Sequence, residues 1–157
     1  MLYATLKLLH LGAITVWVGG MVFAHFFLRP ALAALEPPQR LRLMQAVLGR
    51  FFAAVTVAVG LALASGAWMI GDVHQRVAAT GGQLVLPIGW TLMTLLGVVM
   101  TAIFAFIRLL PYRRLQRAVA AGAWPAAAEA LAQIRRWVVV NLVIGVVIIA
   151  VAVLGGA

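Results

Sequence analysis

The sequence predicts an all-α integral membrane protein: a bundle of four transmembrane helices, with both termini outside and short amphipathic helices in its first and third loops. Composition is the first indication. Of the 157 residues, 66% are hydrophobic and only 10% are charged, whereas soluble domains carry charge on about a quarter of their residues. One domain of this length has too little interior to hide that much apolar surface from water. The bilayer must therefore be its solvent.

Four apolar stretches are long enough to cross a bilayer, which takes about 20 helical residues. Within a single transmembrane domain covering residues 1–157, the predicted spans are 2–28, 51–71, 84–110 and 137–154. A glycine pair and Pro87 mark the loop and helix start at the third span. The first span is too long, and too weakly charged at its start, for a signal peptide. We expect it to be retained.

Basic residues are concentrated in two loops, which predicts the orientation. The first loop holds Arg29, Arg40, Arg42 and Arg50, the third holds Arg108, Arg113, Arg114, Arg117, Arg135 and Arg136, and the second holds only Arg76. Short loops rich in Lys and Arg stay in the cytoplasm. Both termini and the second loop then face the opposite, outer side. The net charge of +9 indicates contact with lipid and its anionic head groups, and not with nucleic acid.

Each basic loop contains a proline followed by a helix-favouring stretch. After Pro37 and Pro38, the apolar side chains of Leu41, Met44 and Leu48 share one helical face. After Pro125, residues 126–136 are rich in alanine, which favours a helix. We predict two short helices on the cytoplasmic leaflet, with their arginines toward the head groups.

One face of the first helix carries its chemically distinctive side chains. At 100° per residue, His10, Trp17, Met21 and His25 lie within about 60° of one line. Ionisable side chains inside a bilayer are costly and indicate function. His10, toward the outside, and His25, toward the cytoplasm, are about 22 Å apart along the axis and cannot share one metal ion. Of the tryptophans and tyrosines, only Trp17 is predicted at mid-membrane, so its position requires a packing or ligand-related reason.

Copper is the first candidate ligand. Met21 and His25, at positions i and i+4, can present a thioether and an imidazole together, a donor pair that suits Cu(I). Met93 on the third helix lies at a depth comparable with His10. The predicted metal ligands are therefore His10, Met21, His25 and Met93. Because methionine is also common packing material, a cofactor-free membrane scaffold stays open.

Haem b is the alternative, since helix bundles hold cofactors between facing helices. His10 would be one axial ligand and Met93 or His74 the other, with a five-coordinate haem or a ligand from a second copy also open. Hydrolytic and phosphoryl-transfer chemistry find no support. The three carboxylates, Glu36, Asp72 and Glu129, are all predicted in loops, and no phosphate-binding glycine loop occurs.

The first helix carries a motif made of Lys7-x-x-His10, Trp17-x-Gly19-Gly20 and Arg29-Pro30-Ala31-Leu32. This pattern resembles the copper resistance protein D (CopD) family of bacterial inner-membrane proteins, and Ser65-Gly66-x-Trp68 and Asn141-Leu142 are similar to its short, four-helix members. The resemblance implies a bacterial inner membrane, with both termini periplasmic. It also implies copper uptake or delivery toward cuproprotein assembly, through His10 and His25, with a periplasmic copper carrier or a second copy as partner. The same motif is similar to helix one of the HemJ-type protoporphyrinogen oxidases, which bind haem b.

Overall fold

The computed structural model describes residues 1–83 and 87–154, and helices form nearly all of this part of the chain. Four helical segments in it are long and apolar enough to cross a membrane: Leu2–Ala34, Pro37–Ala79, Ile88–Ala120 and Trp124–Leu154. The prediction of an all-α protein with four membrane-spanning helices is therefore confirmed. The predicted start of the third span, residues 84–86, lies outside the described residues.

The first segment consists of α1 (Leu2–Phe23), a π-helical turn (Ala24–Leu28), α2 (Arg29–Ala31) and a short 3₁₀ turn (Leu32–Ala34). The remaining helices are α3 (Pro37–Ala79), α4 (Ile88–Leu109), α5 (Pro111–Ala120) and α6 (Trp124–Leu154). Prolines open α3 and α5, where the missing amide hydrogen costs nothing. Gly122, at φ 65°, makes the left-handed turn before α6, which side chains disfavour.

The amphipathic segments of both basic loops are helical as predicted, but they do not form separate short helices. Residues 37–50 continue directly into the second span within α3, and residues 126–136 continue into the fourth within α6. No proline interrupts residues 39–79 or 126–154, so nothing stops the backbone hydrogen bonding at the membrane boundary. In the third loop only α5 is a short helix of its own.

The end of the bundle that carries the α1-to-α3 connection, α5 and the start of α6 holds ten of the twelve basic residues, and we call it the basic end. Within the bundle, α1 packs along α3, and α4 and α5 pack along α6. Smaller contacts join α1 to α6 and α3 to α5 and α6. The outward surfaces of the four spans are rich in exposed Leu, Val, Ile and Phe, which suits contact with lipid.

Aromatic rings at the centre of the bundle connect α1, α3, α4 and α5. Trp17 meets Phe104 edge-on at 6.0 Å between ring centroids, and Phe52 meets Phe104 at 5.9 Å and Tyr112 at 5.1 Å. Edge-to-face pairs at such separations are favourable beyond the area they bury. Trp17 is only 7% exposed. Its mid-membrane position is thus explained by packing.

Polar contacts fix α4 and α5 to α3 toward the basic end. Arg108, in the last turn of α4, donates to the carbonyl oxygen of Phe52 at 2.8 Å and to Thr56 Oγ1 at 2.6 Å. Tyr112 on α5 donates its hydroxyl to the carbonyl oxygen of Gln45 at 3.2 Å. Arg108 was assigned to the third loop by its position in the sequence, but here it belongs to a helix and joins two helices.

Two adjacent glycines of α1 provide a test of the α1–α3 contact. A Cβ on Gly20 would overlap the ring of Phe51 on α3, whereas a Cβ on Gly19 would meet nothing within 4 Å. We expect Gly20→Ala to lower the free energy of unfolding by about 1–3 kcal/mol through overpacking. Gly19→Ala, the matched control, should raise it by about 0.5–1 kcal/mol. Thermal unfolding in detergent measures both, and equal effects would contradict this packing.

Candidate functional site

His10 is held by α3 through one ring nitrogen. Its Nδ1 lies 3.0 Å from the carbonyl oxygen of Ala62 and 3.0 Å from Ser65 Oγ. A carbonyl oxygen can only accept a hydrogen bond, and the Ser65 hydroxyl donates its own hydrogen to Leu61. Nδ1 therefore carries the proton and donates. In the neutral ring this leaves Nε2 as a free lone pair, the atom with which such histidines bind metals.

Ser65 and Gly66 shape the place where the His10 ring lies. Ser65 is 4% exposed, and a Cβ on Gly66 would stand 3.3 Å from Cε1 of His10. A larger residue at position 66 would push the ring away from its two acceptors. Helical periodicity could not pair these residues with His10, because they lie more than 50 positions away along the chain.

Met93 and His74, the predicted partners of His10, lie on helices α4 and α3. Met93 is half-buried on α4, which packs chiefly against α6, whereas His10 faces α3. His74 was expected in a loop that could fold inward, but it is an exposed residue within α3. It lies about 13 Å along the helix axis from Ser65. The continuous helix holds His74 away from the His10 ring, so the structure does not bring these two histidines together.

His25 lies in the π-helical turn at the end of α1, where its ring meets that of Phe26 at 4.8 Å. Such turns frequently occur at functional sites. The thioether that shares a cavity wall with His25 belongs to Met44 of α3. Met21, the predicted partner, is 2% exposed in the hydrophobic core and is not among the residues lining that cavity. The i, i+4 spacing identified a shared face but not the neighbouring helix.

His25 opens onto a groove of about 570 Å³ at the basic end, which we call the basic groove. Its walls come from the turn after α1 and from the first turns of α3 and α6, and they carry Arg29, Arg40 and Arg135. A narrower cavity of about 30 Å³ adjoins it and is also lined by His25. Sequence reasoning assigned these arginines to two separate loops and missed their convergence.

The electrostatics of the basic groove are one-sided. No acidic side chain lines it, and within residues 1–83 and 87–154 the one ion pair is Arg76 with Asp72, at the opposite end. Arg135 precedes the predicted fourth span. Burial lowers the pKa of its guanidinium, and the like charges of Arg29 and Arg40 lower that pKa further. A guanidinium group carries a positive charge at neutral pH, so the groove is strongly positive.

Asn141 of α6 is a buried polar residue that sequence reasoning did not assign to the site. It is 1% exposed, and its Oδ1 has no hydrogen-bond partner. Gly145 lies against Val18, and Val138 shares a cavity wall with His25. Since α1 and α6 run antiparallel, this register places Asn141 beside the Met21–Val22 level, between the two histidines. Buried orphan oxygens are rare and mark candidate functional positions.

The described part of the chain contains no cluster of three or more His, Cys, Asp or Glu side chains that would hold a metal ion. His10 and His25 are instead separate single imidazoles, one in each half of the bundle. Two buried thioethers, those of Met21 and Met100, lie at levels between them, and that of Met44 lies beside His25.

Comparison with known proteins identifies the family. A family model described as copper resistance protein D (CopD) matches residues 45–154, more than two thirds of the chain. This protein belongs to the CopD family. It is thus a membrane protein of the copper-resistance type. No curated protein and no solved structure matches the chain. The matched residues include Ser65, Gly66 and Asn141, whereas the first segment, Leu2–Ala34, with His10 and His25, precedes them.

The orphan oxygen of Asn141 predicts a measurable cost in stability. Leucine has nearly the same branched shape but no polar atom, so Asn141→Leu should raise the free energy of unfolding by about 1–3 kcal/mol. Thermal unfolding in detergent measures the change, with Val140→Leu on the exposed side of α6 as the control. A loss of stability in Asn141→Leu would contradict the prediction and would mean that the Asn141 side chain makes a stabilising hydrogen bond.

Proposed function

We propose that this CopD-family protein binds copper and passes it across the membrane, with His10 as a ligand in one half of the bundle and His25 in the other. The observation that carries this proposal is the fixed tautomer of His10. Because Nδ1–H is held by Ala62 and Ser65, Nε2 is free and oriented by α3. Metal-ligating histidines typically donate their other nitrogen in this way.

Buried thioethers between the two histidines and beside His25 support a path for a soft cation. Met21, Met44 and Met100 are each no more than 6% exposed, and thioethers favour Cu(I) over hard cations. Asn141 adds an unpartnered oxygen at the level of Met21. Met93 remains a proposed additional ligand on the side of His10. Copper is the cargo in this proposal, so weak and spaced single donors are appropriate for release as well as capture.

The positions of the basic residues support an orientation of the protein in the membrane. We propose that the basic end faces the cytoplasm of a bacterial inner membrane, following the positive-inside rule. His10 is then the ligand nearer the periplasm, where a copper carrier would deliver its ion.

Copper binding distinguishes the three histidines. Purified protein in detergent, loaded with Cu(I) and desalted, should retain copper by elemental analysis. His10→Ala and His25→Ala should each lose a large part of it because each removes one imidazole donor. His74→Ala is the matched control, since His74 is exposed on α3, and it should bind as the native protein does. No retained copper, or equal losses in all three variants, would overturn the proposal.

The absorbance spectrum of the same preparation, expressed with haem available, tests the alternative ligand. The free Nε2 of His10 would serve equally as an axial ligand to haem iron. A Soret band that shifts on reduction and disappears in His10→Ala would replace copper with haem b. If the protein binds neither ligand, the cofactor-free scaffold is the remaining interpretation.

Ser65 should tune the affinity of His10 without contacting the metal. Ser65→Ala removes one of the two acceptors that orient Nδ1–H, and loss of such a partner typically lowers metal affinity roughly 10–100-fold. A competition titration with a Cu(I) chelator measures this change. Thr56→Ala is the control, because Thr56 is a hydroxyl residue on the same helix that contacts Arg108 and not His10. Equal weakening in both variants would mean that general loosening of α3 is responsible.

A further inference from the structure

The basic groove brings together positive charges from three distant parts of the chain. Arg29 follows α1, Arg40 lies in the first turns of α3, and Arg135 lies on α6, and all three line the same volume. Arg42, close by in sequence, is engaged differently, with its guanidinium 5.2 Å from the centre of the Trp124 ring. Arg29, Arg40 and Arg135 therefore form a distinct cluster, to which the neighbouring Arg42 does not belong.

Charges gathered in this way repel one another unless an anion lies between them. Arg40 and Arg135 are half-buried, where less water screens their repulsion. Glu36 and Glu129 are the nearest carboxylates along the chain, but both are exposed and neither lines the groove. No carboxylate of the described residues pairs with the three guanidinium groups, so an external anion bound between them would lower their repulsion.

Backbone dipoles add to the same field. The first residues of two long helices, Pro37 of α3 and Trp124 of α6, also line the groove. The N-terminus of a helix carries partial positive charge, which favours anions. Because Pro37, Pro38 and Pro125 have no amide hydrogen, these two helices contribute through their dipoles rather than by donating hydrogen bonds. The guanidinium group is planar, and its fork of donors matches the oxygens of a phosphate. Together, these features favour a compact anion that carries several oxygens.

We propose that the basic groove is a binding site for a phosphate group, held by Arg29, Arg40 and Arg135. The proposal goes beyond copper handling and does not depend on it. The phosphate comes either from the head group of an anionic phospholipid or from a soluble phosphate compound, since both present the same oxygens. The volume of about 570 Å³ lies within the range of small-molecule sites.

Thermal stability of the full chain in lipid nanodiscs tests the site. Two probes are used: inorganic phosphate added to zwitterionic nanodiscs, against chloride at equal ionic strength, and phosphatidylglycerol nanodiscs in phosphate-free buffer. Stabilisation by at least one probe is expected. A response to inorganic phosphate identifies a soluble ligand, and a response to phosphatidylglycerol alone identifies a lipid head group. If neither probe raises the melting temperature, the proposal fails.

Two triple variants separate the groove from general charge. Arg29→Gln, Arg40→Gln and Arg135→Gln together should raise the apparent dissociation constant for the active probe roughly tenfold or more. The matched control, Arg113→Gln, Arg114→Gln and Arg117→Gln, removes the same charge from exposed positions on α5 and should change it little. Equal losses in the two variants would show that only the net charge matters and would overturn the site.

The single variant Arg40→Lys covers the case in which the triple groove variant does not fold. It keeps the positive charge but loses the two-pronged donor geometry. We expect a several-fold weaker response to the active probe, with the native melting temperature in its absence. An unchanged response would show that the Arg40 guanidinium does not hydrogen-bond the phosphate and would contradict the proposed site.

Discussion

The lack of water inside the bilayer is the constraint on which this structure depends. It requires each backbone amide and carbonyl to be paired within the chain, which four long helices achieve. It also requires polar side chains inside the bundle to find partners on neighbouring helices, a requirement that the side-chain oxygen of Asn141 does not meet. His10 meets this requirement with Ala62 and Ser65, and Arg108 meets it with Phe52 and Thr56. The contacts that satisfy these side chains also position α1 and α4 against α3, so packing and site geometry share one cause.

The same reasoning explains what the sequence could predict. Apolar length and the clustering of arginine depend on local composition, so the class of fold and the number of spanning helices could be read from one sequence. Which helix a side chain meets depends on how the helices pack, and periodicity does not encode it. Ser65 beside His10, and Met44 sharing the cavity with His25, are therefore visible only in the structure. The continuity of α3 could be predicted only in part. The sequence shows that no proline interrupts residues 39–79, but the expected membrane boundary suggested that the helix breaks there.

Family membership and the α1 motif concern different parts of the chain, and they meet at one contact. The CopD match covers residues 45–154, which supply Ser65, Gly66 and Asn141. Those residues lie along the surface that α1 covers, and they orient His10 or lie between its level and that of His25. The matched part of the chain thus forms the surface against which the histidine-bearing first segment packs. A role for His10 consequently depends on both parts, and neither could position Nε2 without the other.

The charge of the basic groove sets a physical condition on any cation that reaches His25. Three guanidinium groups near this imidazole oppose a monovalent copper ion, and the opposition is strongest where protein excludes water. A phosphate group bound in the groove would neutralise much of this field and lower the cost of a cation at His25. Copper passage and phosphate binding are separate proposals, but their proximity couples them, so that each bound ion should favour binding of the other. An occupied groove favours copper at the basic end, and by thermodynamic linkage copper at His25 favours the anion equally.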